Sequence, residues 1–366
     1  MNSNIKIGIL GGGQLGRMMA LSGLPLGIAC RFLEPARESS AAQVAERIQG
    51  DFEDYRVLYD FAQGMDAITF EFENVPVESA RWLAERVPVW PPPEALAVAQ
   101  DRVTEKTFFA SQGIAVPPFA AIEDRADFDA AIDRIGLPAV LKTTRFGYDG
   151  KGQMVLRDRA GAEFSWQTLG GRPLILEAFV PFERELSIVA VRGKDGATAF
   201  YPLVENVHRD GILRKTTAPA PQLIPGLQMK AERIVRQTME ALNYVGVLAI
   251  ELFEKNGELL VNEMAPRVHN SGHWTIEGAE TSQFENHMRA IAGLPLGSTR
   301  VTGSSLMLNL IGQIPKREEI MAIPGAHLHL YGKTPRAGRK LGHITLRCDA
   351  VNEMADLAGR LESLIG

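Results

Sequence analysis

Short apolar runs alternate with amphipathic stretches through the first quarter of the chain. Ile5–Leu10 reads as a buried strand, Leu15–Ser22 as a helix of small and apolar residues, and Ile28–Leu33 as a second strand. Predicted helices follow over Ser40–Ile48 and Asp54–Ala62, then a strand over Ala67–Phe72, a helix over Glu78–Glu85 and a short strand over Val87–Trp90. Strands that alternate with helices in this way predict a parallel sheet. Three prolines, Pro91 to Pro93, stiffen the exit, so residues 1 to about 95 read as a first, Rossmann-like α/β domain.

The pattern then changes. Helices are predicted over Glu94–Gln100 and Val103–Gln112, the second stopped by Gly113, and VPPF reads as an extended linker. Asp124–Ile135 is amphipathic, with Phe128, Ala131, Ile132 and Ile135 on one side and Gly136 as its stop. Beyond it the chain is β-rich. Strands are expected over Leu174–Ala178, Glu185–Arg192 and Ala199–Asn206, with the turn signals KDG and RDG pointing to an antiparallel sheet. A helix over Met229–Leu242, a hairpin over Tyr244–Arg267, a helix around Phe284–Ala292, a strand over Ser305–Leu310 and two strands within HLHLYGKTPRAGRKLGHITL complete the chain. Residues 96–180 read as linker helices with a small hairpin-bearing unit, and 181–366 as a C-terminal antiparallel-sheet domain.

Composition narrows the class without naming a function. A chain of 366 residues is too long for one compact core. Apolar content of 45% and charged content of 23% are ordinary globular values. A net charge of −5 disfavours wholesale nucleic-acid binding. The two cysteines, Cys30 and Cys348, form neither a metal motif nor a disulfide framework, which suits a reducing cytoplasm. Apolar runs fall short of the ~20 residues that span a bilayer, and MNSNIKIGIL passes directly into a strand, with no sign of a signal-peptide core.

Six stretches carry candidate chemistry. In GGGQLGR, Gly11, Gly13 and Gly16 match the spacing of a dinucleotide turn, and the second strand ends on Glu34; taken at face value this predicts NAD. Any phosphate or carboxylate can use such a turn, however. FEFENVP places Glu71, Glu73 and Asn74 at the C-terminal edge of the parallel sheet, where open α/β sheets bind ligands. VLKTTRFGYDGKGQMV is a strand ending on Lys142, a loop with Gly147, Gly150, Lys151 and Gly152, and a returning strand. Glycines let backbone N–H groups crowd an anion, and the lysines add point charges suited to phosphate. A mobile turn with solvated lysines is the plain alternative.

The second cluster is YVGVLAIELFEKNGELLVNEMAPR, a hairpin around Asn256-Gly257 with Glu251 and Glu263 in opposite strands. A plain two-residue turn pairs Glu251 with Asn262. A bulge or three-residue loop pairs Glu251 with Glu263, and the bulged register is the prediction because a metal site needs both carboxylates on one face. Two carboxylates ~4 Å apart repel by about 4 kcal/mol at an effective dielectric of ~20. A cation would offset this, and hard oxygen ligands favour Mg²⁺ with nucleotide phosphates completing its shell. APRVHNSGHWT then supplies Arg267, His269, Asn270, Ser271 and His273, a donor-rich segment suited to a small anion. Lys333, Arg336, Arg339 and Lys340 form a basic turn that is either solvated or grips a substrate phosphate.

Lys142, the FGYDGKGQ loop, the LEAFV strand end and Glu251 with Asn262-Glu263 together resemble the ATP-grasp superfamily. GGGQLGRM, FEFENVP, RVHNSGHWT and GRKLGH narrow the resemblance to the 5-(carboxyamino)imidazole ribonucleotide synthetases, from Ile5 to about Thr345. The resemblance implies an ATP-grasp fold with a hairpin lid, and ATP-dependent carboxylation of 5-aminoimidazole ribonucleotide with bicarbonate in purine synthesis. It implies that Arg102, Lys142, the loop Gly147, Tyr148, Asp149, Gly150, Lys151, Gly152 and Gln153, together with Glu185 and His208, contact ATP. Glu177, Ala178, Phe179 and Val180 would hold adenine through backbone groups. Glu251 and Glu263 would carry Mg²⁺ (or Mn²⁺), with Asn262 beside them. Tyr148, Asp149, Arg267, His269, Asn270 and Lys340 would surround bicarbonate and the ribonucleotide, with Tyr148, Asp149, Arg267 and Lys340 as catalytic groups. Gln14, Glu73 and Arg339 would also face the ribonucleotide. A homodimer is expected, with no nucleic acid and no membrane as partner. The rivals are another ATP-grasp carboxylase or ligase with a different acceptor, an NAD-dependent oxidoreductase, and an idle nucleotide-binding module.

Overall fold

A computed structural model describes residues 5–147, 152–349 and 351–365. Tyr148, Asp149, Gly150 and Lys151, at the tip of the glycine hairpin, lie outside the described residues.

Four short strands, β1 (Ile5–Leu10), β2 (Ile28–Leu33), β3 (Glu46–Ile48) and β4 (Ala67–Phe70), form a parallel sheet in the order β3-β2-β1-β4. Ile7, Ile9, Leu10 and Phe32 are fully buried, as expected of strands covered on both faces. The predicted helix over Ser40–Ile48 is wrong: a 3-10 turn over Ala41–Gln43 leads into β3. AAQVAE has helix-forming residues, but the sheet needs an edge. Glu46 pairs with Arg31 in register, and Arg31 Nε donates to its carboxylate at 2.9 Å. The expected strand over Val87–Trp90 reduces to one parallel bridge, between Val89 and Ile68.

The second sheet is antiparallel, with β5 (Phe119–Ile122), β6 (Ala139–Thr143), β7 (Gln153–Leu156) and β8 (Leu174–Ala178) in the order β5-β8-β6-β7. The expected linker VPPF therefore ends in a strand. Helices Arg125–Ile135 and Arg159–Leu169 pack on the sheet through Phe128, Ile132, Ala162 and Leu169.

The third sheet is the largest. Its strands are β9 (Arg184–Arg192), β10 (Thr198–Phe200), β11 (Val204–Arg209), β12 (Ile212–Ala218), β13 (Gly246–Lys255), β14 (Glu258–Ala265), β15 (Ser304–Ile311), β16 (Ala326–Leu330) and β17 (Lys340–Cys348). They run β14-β13-β9-β11-β12-β15-β17-β16, with β10 also on β9, and every pairing is antiparallel. The single strand expected over Ala199–Asn206 is split in two. Pro202 has no N–H to give the ladder, and the N–H of Leu203 is taken by Gln228 Oε1 at 2.7 Å. Helix Gln283–Ala292 buries Phe284, Met288 and Ile291 in one core with Ile7, Ile9 and Met19, joining the first sheet to the third.

Candidate active site

The three sheets meet around a cleft of about 320 Å³. Gln14 and Glu73 come from the first unit, and Arg102, Phe146, Gly147 and Gln153 from beside the second. The third contributes Glu185, His208, Glu251, Asn262 and Glu263 to one wall, and Arg267, His269, Asn270 and Lys340 to another. These residues, far apart in sequence, share one cavity.

The Asn256-Gly257 hairpin has the predicted bulge. Lys255 pairs with Glu258 across a tight Asn256-Gly257 turn, and both turn residues have positive φ, 51° and 74°. The register then shifts, so Leu252 faces Val261 but Glu251 faces Glu263. Two residues opposing one let both Asn262 and Glu263 reach the cleft. Burial, and next the Glu263 carboxylate, push the Glu251 carboxyl up to about 7. Such a pair fits a hard divalent cation, which would replace the proton held there. Among other polar groups at the wall, both side-chain polar atoms of Asn270 are buried without a protein partner, as expected of an amide that meets a ligand.

His269 approaches the same pair, with Nε2 at 3.6 Å from Glu251 Oε1. Its Nδ1 accepts the Ser271 N–H at 3.3 Å, which places the imidazole proton on Nε2. Burial, then the Arg267 charge, hold its pKa well below the ordinary histidine value, so the ring is neutral. His208 behaves oppositely. Burial alone would depress it, but the 2.9 Å bond from Nδ1 to Glu185 and the Glu251 carboxylate raise it overall.

At the glycine hairpin, Lys142 sits opposite Gln153, and Thr143 N–H closes the pair onto the Gly152 carbonyl at 2.8 Å. Gly152 has φ +71°, and a Cβ there would lie 2.7 Å from Thr143 Oγ1, so glycine is required. Arg102 clips the base of the loop, donating from Nη1 to Thr143 O at 3.1 Å and from Nη2 to Gly147 O at 3.2 Å. The Lys142 ammonium rests on Glu177 Oε2 at 3.0 Å. Lys142, Gly152 and Glu177–Val180 do not themselves form the cleft wall described above. Of the expected adenine strand, the Ala178 and Phe179 N–H groups are taken by the Pro118 and Pro138 carbonyls at 2.8 and 3.2 Å.

In the first unit the glycine turn is already filled. Glu71 Oε1 accepts the Gly13 N–H at 2.5 Å and Oε2 the Gly16 N–H at 2.7 Å. Glu34 Oε2 accepts from Gly12 at 2.7 Å. The protein's own carboxylate thus sits where a dinucleotide pyrophosphate would dock, which overturns the face-value NAD prediction. Glu73 instead ion-pairs with Arg267 at 2.7 Å. Gln14 Oε1 accepts from Lys333 Nζ. Arg339, expected at the ribonucleotide, is not part of the cleft wall; it pairs with Glu38 at 2.8 Å. Of His273 and His343, both buried, neither lines the cleft; their rings lie 4.7 Å apart.

Two buried residues here were not anticipated. Glu105 Oε1 accepts the Met264 N–H at 2.7 Å, and Lys106 Nζ donates to the Val261 and Asn262 carbonyls at 3.1 and 2.6 Å. They lie four and three residues before Phe109, a core residue of helix Arg102–Ser111. That spacing puts both on the helix's buried side, a signal present in the sequence.

Residues 4–100 match the ribonucleotide synthetase preATP-grasp domain, 107–284 the ATP-grasp domain, and 305–356 the phosphoribosylaminoimidazole carboxylase C-terminal domain. The chain is 53% identical over 362 residues to an N5-carboxyaminoimidazole ribonucleotide synthase of Pseudomonas aeruginosa, covering 99% of each protein. It superposes on the N5-carboxyaminoimidazole ribonucleotide synthetase of Thermus thermophilus with a TM-score of 0.95 and 56% identity, over 98% of each chain. It also matches the Aspergillus clavatus synthase in complex with ADP and 5-aminoimidazole ribonucleotide, with a TM-score of 0.91, 30% identity, and 99% and 100% of the two chains covered. The chain belongs to the N5-carboxyaminoimidazole ribonucleotide synthase family of ATP-grasp ligases.

Proposed function

We propose that this chain uses ATP to carboxylate 5-aminoimidazole ribonucleotide with bicarbonate, releasing ADP and phosphate. The observation that carries the reading is one cleft walled by the loop base at Arg102, the carboxylate pair Glu251 and Glu263, and the donor segment Arg267–Asn270. Bicarbonate is a poor electrophile, because an anionic oxygen flanks its carbon. Its attack on the γ-phosphoryl group makes carboxyphosphate and ADP. The ribonucleotide's exocyclic amine then attacks that carbon, the carbon–oxygen bond to phosphate breaks, and the amine loses a proton. Phosphoryl transfer is mostly positioning and charge neutralisation.

Arg102, Lys142, Gly147, Gly152, Gln153, Glu185 and His208 are assigned to ATP, as are Tyr148, Asp149, Gly150 and Lys151, which lie outside the described residues. Adenine is assigned to the Glu177–Val180 backbone, chiefly at Val180, since two of the preceding N–H groups are engaged. Glu251 and Glu263 would hold Mg²⁺ or Mn²⁺, which neutralises phosphate charge when bound. Arg267, His269, Asn270 and Lys340 are assigned to bicarbonate and the ribonucleotide, and Gln14 and Glu73 to the ribonucleotide. The names of the P. aeruginosa and T. thermophilus relatives support the reaction, and the A. clavatus complex with ADP and 5-aminoimidazole ribonucleotide supports the two ligands. A cytoplasmic homodimer is the setting we assign; among the described residues no helix is long and apolar enough to cross a membrane.

ADP release with ATP, Mg²⁺, bicarbonate and 5-aminoimidazole ribonucleotide, each omitted in turn, tests the reading. Turnover should need all four. Equal turnover with a different amine acceptor and none with this ribonucleotide would move the chain to another ATP-grasp ligase activity.

A further inference from the structure

Lys106 lies between the two hairpins and belongs to neither. It is 1% exposed and is not part of the cleft wall. Its ammonium donates to the carbonyls of Val261 and Asn262, the residues at the bulge, and lies 3.7 Å from Glu177 Oε2. That same oxygen accepts from Lys142 at 3.0 Å. The other Glu177 oxygen is buried with no partner. A continuous buried path therefore runs from Lys142 through Glu177 and Lys106 to the backbone of the strand that carries Glu263.

We propose that Lys106 is a positioning residue for nucleotide binding: it shares Glu177 with Lys142, so that Lys142 can turn to the triphosphate, and it clamps the bulge behind Glu263. The charges require a second cation. Glu177 is 3% exposed, and a carboxylate there with a single counterion would keep that counterion. With Lys106 in place, a neutral Lys106–Glu177 pair remains when Lys142 moves to phosphate. Without it, each departure of Lys142 strands a buried anion. This inference rests on the assignment of Lys142 to ATP.

The test is a cycle of Lys106→Met, Glu177→Gln and the double variant, with KM for ATP and for the ribonucleotide measured separately, and melting temperature as a folding control. Lys106→Met should raise the ATP KM at least tenfold and leave the ribonucleotide KM within threefold. The double variant removes the stranded anion and should bring the ATP KM back to within fivefold of the unaltered protein. Should Lys106→Met alone fail to fold, the double variant decides on that ATP KM. An unchanged ATP KM, a parallel rise in both KM values, no recovery in the double variant, or a double variant that does not fold would each overturn the proposal. A control with Lys142→Ala separates the two readings. If that variant keeps its ATP KM, the assignment of Lys142 fails; if it loses ATP binding while Lys106→Met is silent, only the role of Lys106 fails.

Discussion

Glu251 and Glu263 face each other across a one-residue bulge, although the turn that joins their strands would pair Glu251 with Asn262. The irregularity puts two carboxylates on one side of an otherwise regular hairpin. If they hold the metal that screens the phosphates, neutralising either removes charge stabilisation of several kcal/mol. Glu251→Gln and Glu263→Gln should each lower Mg²⁺-dependent ADP release by about 10²-fold or more, with little change in melting temperature. Release rates within threefold of the starting protein would exclude a metal at this pair.

The same pair predicts a pH dependence. The Glu251 carboxyl sits at about 7 because of burial and the Glu263 charge, so below that pH the metal must displace a proton. Apparent Mn²⁺ affinity, measured by titration without nucleotide, should climb as pH rises towards 7 and level off above it. The slope below 7 should approach about tenfold per pH unit, and Glu251→Gln should flatten the curve. The folded protein also holds this proton more tightly than the unfolded chain. Its contribution to stability is therefore complete below the ordinary glutamate range and is lost as pH rises through about 7. Affinity that stays level from pH 5.5 to 8 would contradict this account.

Glu71 makes a different prediction, about structure. Its two oxygens satisfy the Gly13 and Gly16 N–H groups inside the glycine turn. Glu71→Ala leaves both without their carboxylate and should cost about 1–3 kcal/mol, read from urea unfolding. The unaltered protein should not quench NADH fluorescence saturably. Saturable quenching would mean that the turn opens to a dinucleotide after all.

Arg267 is held by Glu73 at 2.7 Å and by its own neighbour, the Val268 carbonyl, at 3.1 Å. Glu73→Ala should loosen the guanidinium, and Glu73 itself is assigned to the ribonucleotide. The ribonucleotide KM should rise about tenfold, with the ATP KM within twofold. A rise in the ATP KM alone would place Glu73 and Arg267 on the nucleotide side.

The parallel sheet, the glycine hairpin and the bulged hairpin are legible in the residues because local rules govern them: apolar runs, turn dipeptides and a pair of acids that need one face. Three failures have a common cause, a demand from elsewhere in the fold. Within AAQVAERI, Glu46–Ile48 becomes an edge strand because the free side of β2 takes a partner there and Arg31 meets Glu46. The strand through Pro202 breaks where the ladder needs an N–H that proline cannot give. Gly11, Gly13 and Gly16 read as a dinucleotide turn because nothing nearby in sequence reveals that Glu71, just past the end of β4, will fill it. Lys106 was within reach of helical spacing from Phe109, but its role depends on Glu177 and Asn262, which only the folded chain brings to it.

The most direct measurement is a crystal structure with Mg²⁺ and a non-hydrolysable ATP analogue. The account predicts one nucleotide in the 320 Å³ cleft, its phosphates reached by Lys142, and a metal held by both Glu251 and Glu263. A nucleotide bound elsewhere, or a metal that neither glutamate touches, would contradict it.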